Sequence, residues 1–311
     1  MRRISISNIG KKVSVIALGT DGFGVNRSVE ASEALMDAYV AAGGNVIDSA
    51  RMYGDGVCER VVGDWMKKRG NRGELVLSTK GGFPLNGVSR LGRDSLMSDL
   101  NASMEALQTD FIDIWWLHRD EPARPVSDIM ETLNEMIAAG KVGCVGASNW
   151  SAERIREANA YAAAHGLRGF AGDQPQWSLA RQVVNPDPTL QIMGDDLYHL
   201  HRETGMLCMP FSAQAKGYFA KLLGGGAETL SAKAKDRFHF PENIVAAERL
   251  AMLCQEYACA PAAMSLAWLT NQPFPTVPII SARDEKQLLE SLAAGDILLS
   301  DEQVCALRSM G

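Results

Sequence analysis

DFIDIWWLHRDEPARPVSDIMETLNEMIAAGKVGCVGAS (110–148) reads as strand, helix and strand in succession. Ile, Val and Trp crowd DFIDIWWLH (110–118) and KVGCVGAS (141–148), as β-branched and aromatic residues do in buried strands. Between them SDIMETLNEMIAAG (127–140) carries apolar residues at helical spacing, opens on Ser127 and ends at a glycine. A strand–helix–strand unit of this length joins parallel neighbours by a right-handed crossover. The same rhythm runs in both directions. Upstream lie strands VSVIALG (13–19), NVID (45–48) and ELVLSTK (74–80), with helices over 28–43, 59–70 and 93–107. Downstream lie a helix over 149–166, strand GFAGDQ (169–174), a helix over 189–205 and strand MLCMPFS (206–212). Helices over 243–258 and 261–271, strand TVPIIS (276–281) and helices over 284–294 and 301–310 complete the chain. Eight such units predict an α/β fold: a single (β/α)8 TIM barrel occupying 1–311 as one domain. RRISIS, with a turn at Asn8–Gly10, predicts an N-terminal β-hairpin capping the barrel bottom, and the last helices are extra to the barrel. The longest loop predicted is 213–242, with three glycines at 224–226.

Composition narrows the function classes. The chain has 311 residues, a net charge of -6 and 46% apolar residues, ordinary for a globular protein that needs no metal or disulfide to fold. A pI near 5.5 argues against a nucleic-acid partner, because neutralising phosphates takes a basic face. No apolar run approaches a membrane span, and MRRISISNIG lacks the apolar stretch of a signal peptide. The six cysteines form no CxxC and no zinc spacing, which fits reduced thiols and a cytoplasmic location.

In a barrel of this kind chemistry sits where strands end. The second strand ends in Asp48, with Tyr53 just beyond; the third ends in Lys80, the fourth in His118, the fifth in Ser148 and Asn149, the sixth in Gln174. Singly each has an ordinary explanation: a turn residue, a solvated charge, a core imidazole, a packed ring. Together they form a proton-transfer set. A phenol titrates near pH ~10, too high for efficient acid–base work, and a nearby ammonium lowers that value. A carboxylate can hold the lysine, and a neutral imidazole can orient a carbonyl. Such a set suits protonating an oxygen that becomes an alkoxide, with hydride supplied by a cofactor.

These stretches resemble the aldo-keto reductase family over essentially the whole chain. NVIDSARMYGDGVCERVVGDW (45–65) is similar to the family's D-[TS]-A-x2-Y-G-x-G-x2-E-x3-G pattern at Asp48, Ala50, Tyr53, Gly54, Gly56, Glu59 and Gly63. STKGG (78–82), DFIDIWWLHRDEP (110–122), GKVGCVGASNW (140–150) and DQPQWSL (173–179) resemble its further strand-end motifs. The resemblance implies Tyr53 as proton donor, Lys80 and Asp48 as its tuning pair, and His118 orienting the carbonyl. It implies a nicotinamide held by Ser148, Asn149 and Gln174 above Gly19 and Thr20. Phe211 would stack on the ring, and Ser212 would meet the diphosphate. PFSAQAKGY (210–218) has Ala213 and Gln214 where the family has Pro and Leu, and Ser291 stands where it usually has Asn. Arg283 and Gln287 would grip the adenosine end, and a guanidinium suits a 2′-phosphate, so NADPH is expected over NADH. GTDGFG (19–24) does not match GxGxxG, so no Rossmann site is expected.

For the substrate, Asp21, Phe23, Arg51, Arg119, Trp150 and Trp177 stand near strand tops. Alternation puts Trp116 inside the barrel with His118 and Trp115 toward the helices. Polar groups beside tryptophans suggest a sugar- or polyol-like carbonyl, reduced by NAD(P)H. The alternatives are an NAD(P)+-dependent sugar or alcohol dehydrogenase on the same residues, a nicotinamide-binding regulatory subunit, and a lyase using Lys80 as a Schiff base. No metal is expected.

Overall fold

The computed structural model of the chain describes residues 1–182 and 187–308. It opens on β1 (Arg3–Ile4) and β2 (Val13–Ser14), an antiparallel pair in which Arg3 faces Ser14 and Ile4 faces Val13. The alternation then runs β3 (Ala17–Gly19), α1 (Val29–Ala41), β4 (Val46–Asp48), α2 (Val57–Arg69), β5 (Val76–Gly81) and α3 (Arg93–Leu107). It continues with β6 (Ile112–Leu117), α4 (Val126–Ala138), β7 (Val142–Ser148), α5 (Ala152–Ala164), β8 (Gly172–Gln174) and α6 (Asp195–Thr204). Last come β9 (Leu207–Cys208), α7 (Tyr218–Gly225), α8 (Ala232–Phe238), α9 (Pro241–Glu256), α10 (Pro261–Thr270), β10 (Ile279–Ile280), α11 (Glu285–Leu292) and α12 (Asp301–Leu307).

Eight strands lie in the order β10-β3-β4-β5-β6-β7-β8-β9, and every neighbouring pair is parallel. The remaining seam closes through the approach to β10. Cys208 N–H donates to Pro275 O (2.8 Å), Val277 N–H to Cys208 O (2.8 Å) and Ile279 N–H to Pro210 O (2.9 Å). The sheet is thus a ring with the helices outside it, the expected (β/α)8 barrel.

Alternation sorts the side chains into two cores. Val46, Val76, Ile114, Trp116, Cys144 and Leu207 fill the interior, and Ile6, Ile9 and Val13 of the hairpin join them from below. Ile47, Leu77, Trp115, Val145 and Ala147 point outward to the helices. Trp116 is therefore inside and Trp115 outside. Trp116 fits because β7 and β8 present glycines to it: a Cβ on Gly146 would lie 2.3 Å from its ring, and one on Gly172 would lie 3.0 Å away.

The structure corrects several sequence expectations. VSVIALG is not one strand: Val13–Ser14 pairs with the hairpin, and the chain changes sheet before Ala17–Gly19. The Ser14 hydroxyl holds this switch by donating to Ile16 O (2.9 Å). Ser127 does not cap α4, which starts after Pro125; a Pro-fixed φ serves the helix entry instead. The helix foreseen over 189–205 forms only from Asp195. Segment 213–242 is not a long loop but holds α7, α8 and the start of α9, anchored by buried Tyr218, Phe219 and Phe238. Positions 309–310 of the last expected helix lie outside the described residues.

Candidate active site

Parallel register brings the strand ends to one level: Gly19 is paired with Asp48, Asp48 with Ser78, Lys80 with Trp116 and Ser148 with Gln174. At that level lies a buried ion pair. Lys80 Nζ donates to Asp48 Oδ2 (2.5 Å) and to Ser49 O (2.7 Å). Asp48 Oδ1 accepts from Ser78 Oγ (2.7 Å) and Gln174 Nε2 (3.0 Å), and Ser78 Oγ accepts from Trp116 Nε1 (2.7 Å). Asp48 is 2% exposed and Lys80 3%. Burying such a pair costs about as much as its attraction returns, so it is weak evidence for stability. Its chemistry is informative.

Tyr53 reaches the pair from the turn that follows β4. Gly54, Asp55 and Gly56 all take left-handed backbone (φ 55°, 52° and 82°), which turns the chain back over the barrel end. Gly54 also has no room for a side chain, since a Cβ would lie 2.4 Å from Val25. The Lys80 ammonium lies 5.3 Å from the Tyr53 ring centre, within polar reach of the hydroxyl. His118 meets the same ring edge-on, centroids 6.0 Å apart at 84°. The four side chains expected from the sequence are therefore one cluster.

Burial alone would discharge Lys80. Asp48 and Tyr53 outweigh it and lift the lysine above its usual value, so the ammonium persists. That removes the neutral amine which the Schiff-base lyase requires. The phenol of Tyr53 departs from expectation. Desolvation raises it, Lys80 pulls it down, and Asp48 and Asp21 raise it again; the net shift is upward. The lysine moderates the rise without reversing it, leaving a protonated hydroxyl at neutral pH. His118 is driven well below the usual histidine range by burial first, then by Lys80 and Arg119. It is neutral, and its Nδ1 has no hydrogen-bond partner among the described residues.

This last shift has a measurable sign. A histidine that resists protonation in the fold but not in the unfolded chain contributes stability above its unfolded pKa of about 6.5. That contribution is lost as pH falls below it, at up to about 1.4 kcal/mol per pH unit. Thermal midpoints between neutral pH and pH ~5 should fall less steeply for His118→Gln than for the parent. Parallel slopes would show that His118 already accepts a proton in the fold.

Around this cluster stand the groups read as a nicotinamide cradle. Thr20 is buried and donates to Asp48 O (3.1 Å). Gly19 must be glycine, because a Cβ would lie 2.8 Å from Ile279. Ser148 Oγ donates to Gln174 O (2.9 Å). Asn149, in left-handed backbone (φ 64°), donates to His118 O (3.2 Å) and Ser148 Oγ (3.1 Å) and accepts from Gln191 N–H (3.1 Å). Its amide is thus spent on fixing the His118 strand end. Gln174 Oε1 differs: it is buried without a partner. A carboxamide N–H is the kind of donor that would satisfy it. The half-buried Phe211 donates its N–H to Pro175 O (3.1 Å). Beyond it Ser212, Ala215 and Lys216 take positive φ (55°, 46° and 55°), and Gly217 follows at 75°. The two departures from the family pattern meet each other: Gln214 Nε2 donates to Ser291 Oγ (3.1 Å), and its Oε1 accepts from Ser281 N–H (3.2 Å). Arg283 is exposed and makes no salt bridge among the described residues; its N–H donates to Gln287 Oε1 (2.8 Å).

Comparison with known proteins agrees with this arrangement. The family model described as the aldo/keto reductase family matches residues 15–311. The chain belongs to the aldo-keto reductase family. It is similar to a norsolorinic acid reductase of Aspergillus flavus, 29% identical over 97% of this chain and 79% of that protein. It is similar also to an uncharacterized oxidoreductase of Bacillus subtilis, 28% identical over 96% and 92% of the two chains. A probable aryl-alcohol dehydrogenase of Saccharomyces cerevisiae is 28% identical over 89% and 86%. As an aldo-keto reductase the chain is an oxidoreductase acting on carbonyl groups, in a family that typically uses a nicotinamide cofactor. No helix among the described residues is long and apolar enough to cross a membrane.

The substrate side of this aldo-keto reductase differs from the sequence reading. Arg51 lines a cleft with Lys80, and Asp21 lies close enough to act on Tyr53 electrostatically. Arg119 sits beside His118, donating to its carbonyl (2.8 Å), with its guanidinium over Phe83. The other three candidates are packing residues. Phe23 is buried beneath the Arg27 guanidinium. Trp150 is fully buried against Phe170, under Arg154. Trp177 stacks on Phe274 and meets Tyr198 and Trp268 edge-on, in the helical layer. One residue past a strand end the alternation no longer fixes a side chain's face, and these large rings turned outward to the greater apolar area. With both tryptophans gone from the mouth, the sugar-like expectation loses its basis. The residues missed are Ser78, which anchors Asp48, and Phe83, whose ring meets His118 at 5.1 Å. Ser78 was readable from its place two residues before Lys80 on the same face.

Proposed function

We propose that this chain is an NAD(P)H-dependent carbonyl reductase, with NADPH preferred, in which Tyr53 protonates the carbonyl oxygen. The observation carrying this reading is the buried Lys80–Asp48 pair beside a protonated Tyr53 and a neutral His118. A reduced nicotinamide supplies the hydride when bound. Gln174 Oε1 would accept from the carboxamide, and Phe211 would lie against the ring. The positive-φ run from Ser212 to Gly217 turns backbone N–H groups toward one side, a geometry suited to a diphosphate. Arg283, free of carboxylate partners, would take a 2′-phosphate.

In the reaction His118 orients the carbonyl through a neutral N–H, and Tyr53 gives its proton to the oxygen as negative charge develops there. Lys80 stabilises the phenolate left behind, and Asp48 keeps Lys80 charged and in place. The charge on Lys80 and the neutrality of His118 are both set by burial in this one site, so the residues act as a unit. A positioned general acid of this kind contributes about 10²–10⁴-fold in rate.

The test is equilibrium titration with NADPH and NADH, then an absorbance assay of NADPH consumption over a panel of aldehydes and ketones. Tighter NADPH binding and aldehyde-dependent oxidation are expected. Tight binding with no turnover of any carbonyl would favour the regulatory-subunit alternative. The intact cluster supports catalysis.

A further inference from the structure

We infer that residues 82–90 form a fixed apolar flap that selects planar aromatic carbonyl substrates, gripping the ring beside the reacting group. This rests on reading the Tyr53 cluster as the carbonyl site. The sequence there is GFPLNGVSR, and its centre is an Asn–Gly turn. Asn86 and Gly87 take φ of 51° and 76°, the left-handed pair that closes a two-residue hairpin. Leu85 and Val88 exchange both backbone hydrogen bonds across it (3.0 and 2.9 Å). The base is pinned by one buried carboxylate: Asp99 accepts from Gly82 N–H (2.9 Å) and from the Arg90 guanidinium. Ser89 Oγ is tied to Glu121 (2.6 Å). The flap is thus a braced hairpin.

What it holds out is apolar. Leu85 is 54% exposed and Val88 66%. Leu85 lines one open cleft of about 390 Å³ together with Met52, Phe83, Arg51 and Lys80. That places the flap's apolar tip in the same space as the catalytic lysine. Phe83 forms the inner wall, its ring against His118. A size of this order accommodates a small organic ligand. The cations around it are already matched: Arg90 by Asp99, Arg51 by Asp55 (3.2 Å), Arg119 by Thr189 and the His118 carbonyl. No unpaired charge awaits an anionic sugar. Exposed Leu and Val held rigidly beside an aromatic wall are the surface that an aryl ring would cover.

The experiment compares kcat/KM for 2-naphthaldehyde and for glyceraldehyde, with NADPH, in the parent and in Leu85→Ser/Val88→Ser. Both positions are solvent-facing on a turn, so folding is retained. Losing two apolar contacts should lower the naphthaldehyde-to-glyceraldehyde ratio by about 10- to 100-fold. An unchanged ratio overturns the proposal. A second readout needs no turnover: 2-naphthalenemethanol binding, followed by its fluorescence, should weaken by a similar factor in the double variant. Flap-dependent binding without turnover would overturn the reductase reading and keep this one. Binding indifferent to the two substitutions would overturn the flap whatever the turnover.

Discussion

Tyr53→Phe should lower kcat for carbonyl reduction by about 10²–10⁴-fold while leaving NADPH affinity in place. The substitution removes one oxygen from a site where the ring itself is packed against His118 and the Lys80 ammonium. The ring contacts survive, so the fold should be unperturbed and the loss confined to proton transfer. Single-turnover kinetics separate this from slower product release. Turnover within a few-fold of the parent would mean that another group or solvent protonates the oxygen. His118 is the nearest competitor, but its depressed pKa leaves it without a spare proton at neutral pH.

Lys80→Met should be costly to the fold as well as to the reaction. It strips the ammonium from Asp48 and leaves a buried carboxylate with only Ser78 and Gln174 donating to it. Breaking a buried pair in this way costs about 3–5 kcal/mol, on the order of a 10 °C drop in Tm. The same change removes the one influence that pulls the Tyr53 pKa down, so activity falls too. Lys80→Met combined with Asp48→Asn should recover most of the stability and none of the activity. That split separates the structural part of the pair from its chemical part. If the single variant melts like the parent, Asp48 is not a charged group in need of a partner.

Much of this site was legible in the sequence, for a definite reason. Within a strand the side-chain period is fixed at two, so Trp116 could be set inside the barrel and Trp115 outside from their order alone. Parallel pairing then brings strand ends level, which gathers Asp48, Lys80 and His118 without any knowledge of contacts. Past the strand ends that rule lapses. Trp150 and Trp177 were read as mouth residues and lie among the helices, because no periodicity constrains the first loop position. The direction of the Tyr53 shift was misread because the sequence displays the lysine but not the desolvation that opposes it. The helices within 213–242 were missed because each is a short segment, stabilised by Tyr218, Phe219 and Phe238 packing rather than by its own pattern. The Asn86–Gly87 turn was visible as a dipeptide; what could not be seen was that Asp99 braces its base beside the catalytic cluster.

The account depends on Tyr53 and Lys80 acting as one device, so the direct test is a double-mutant cycle on the hydride-transfer rate. Single-turnover NADPH oxidation would be followed for the parent, Tyr53→Phe, Lys80→Met and the double variant. Groups that act as a unit give non-additive losses. The double variant should therefore be no slower than the more impaired single variant. Losses that multiply would show two independent contributions and contradict the proton-transfer mechanism drawn from this site.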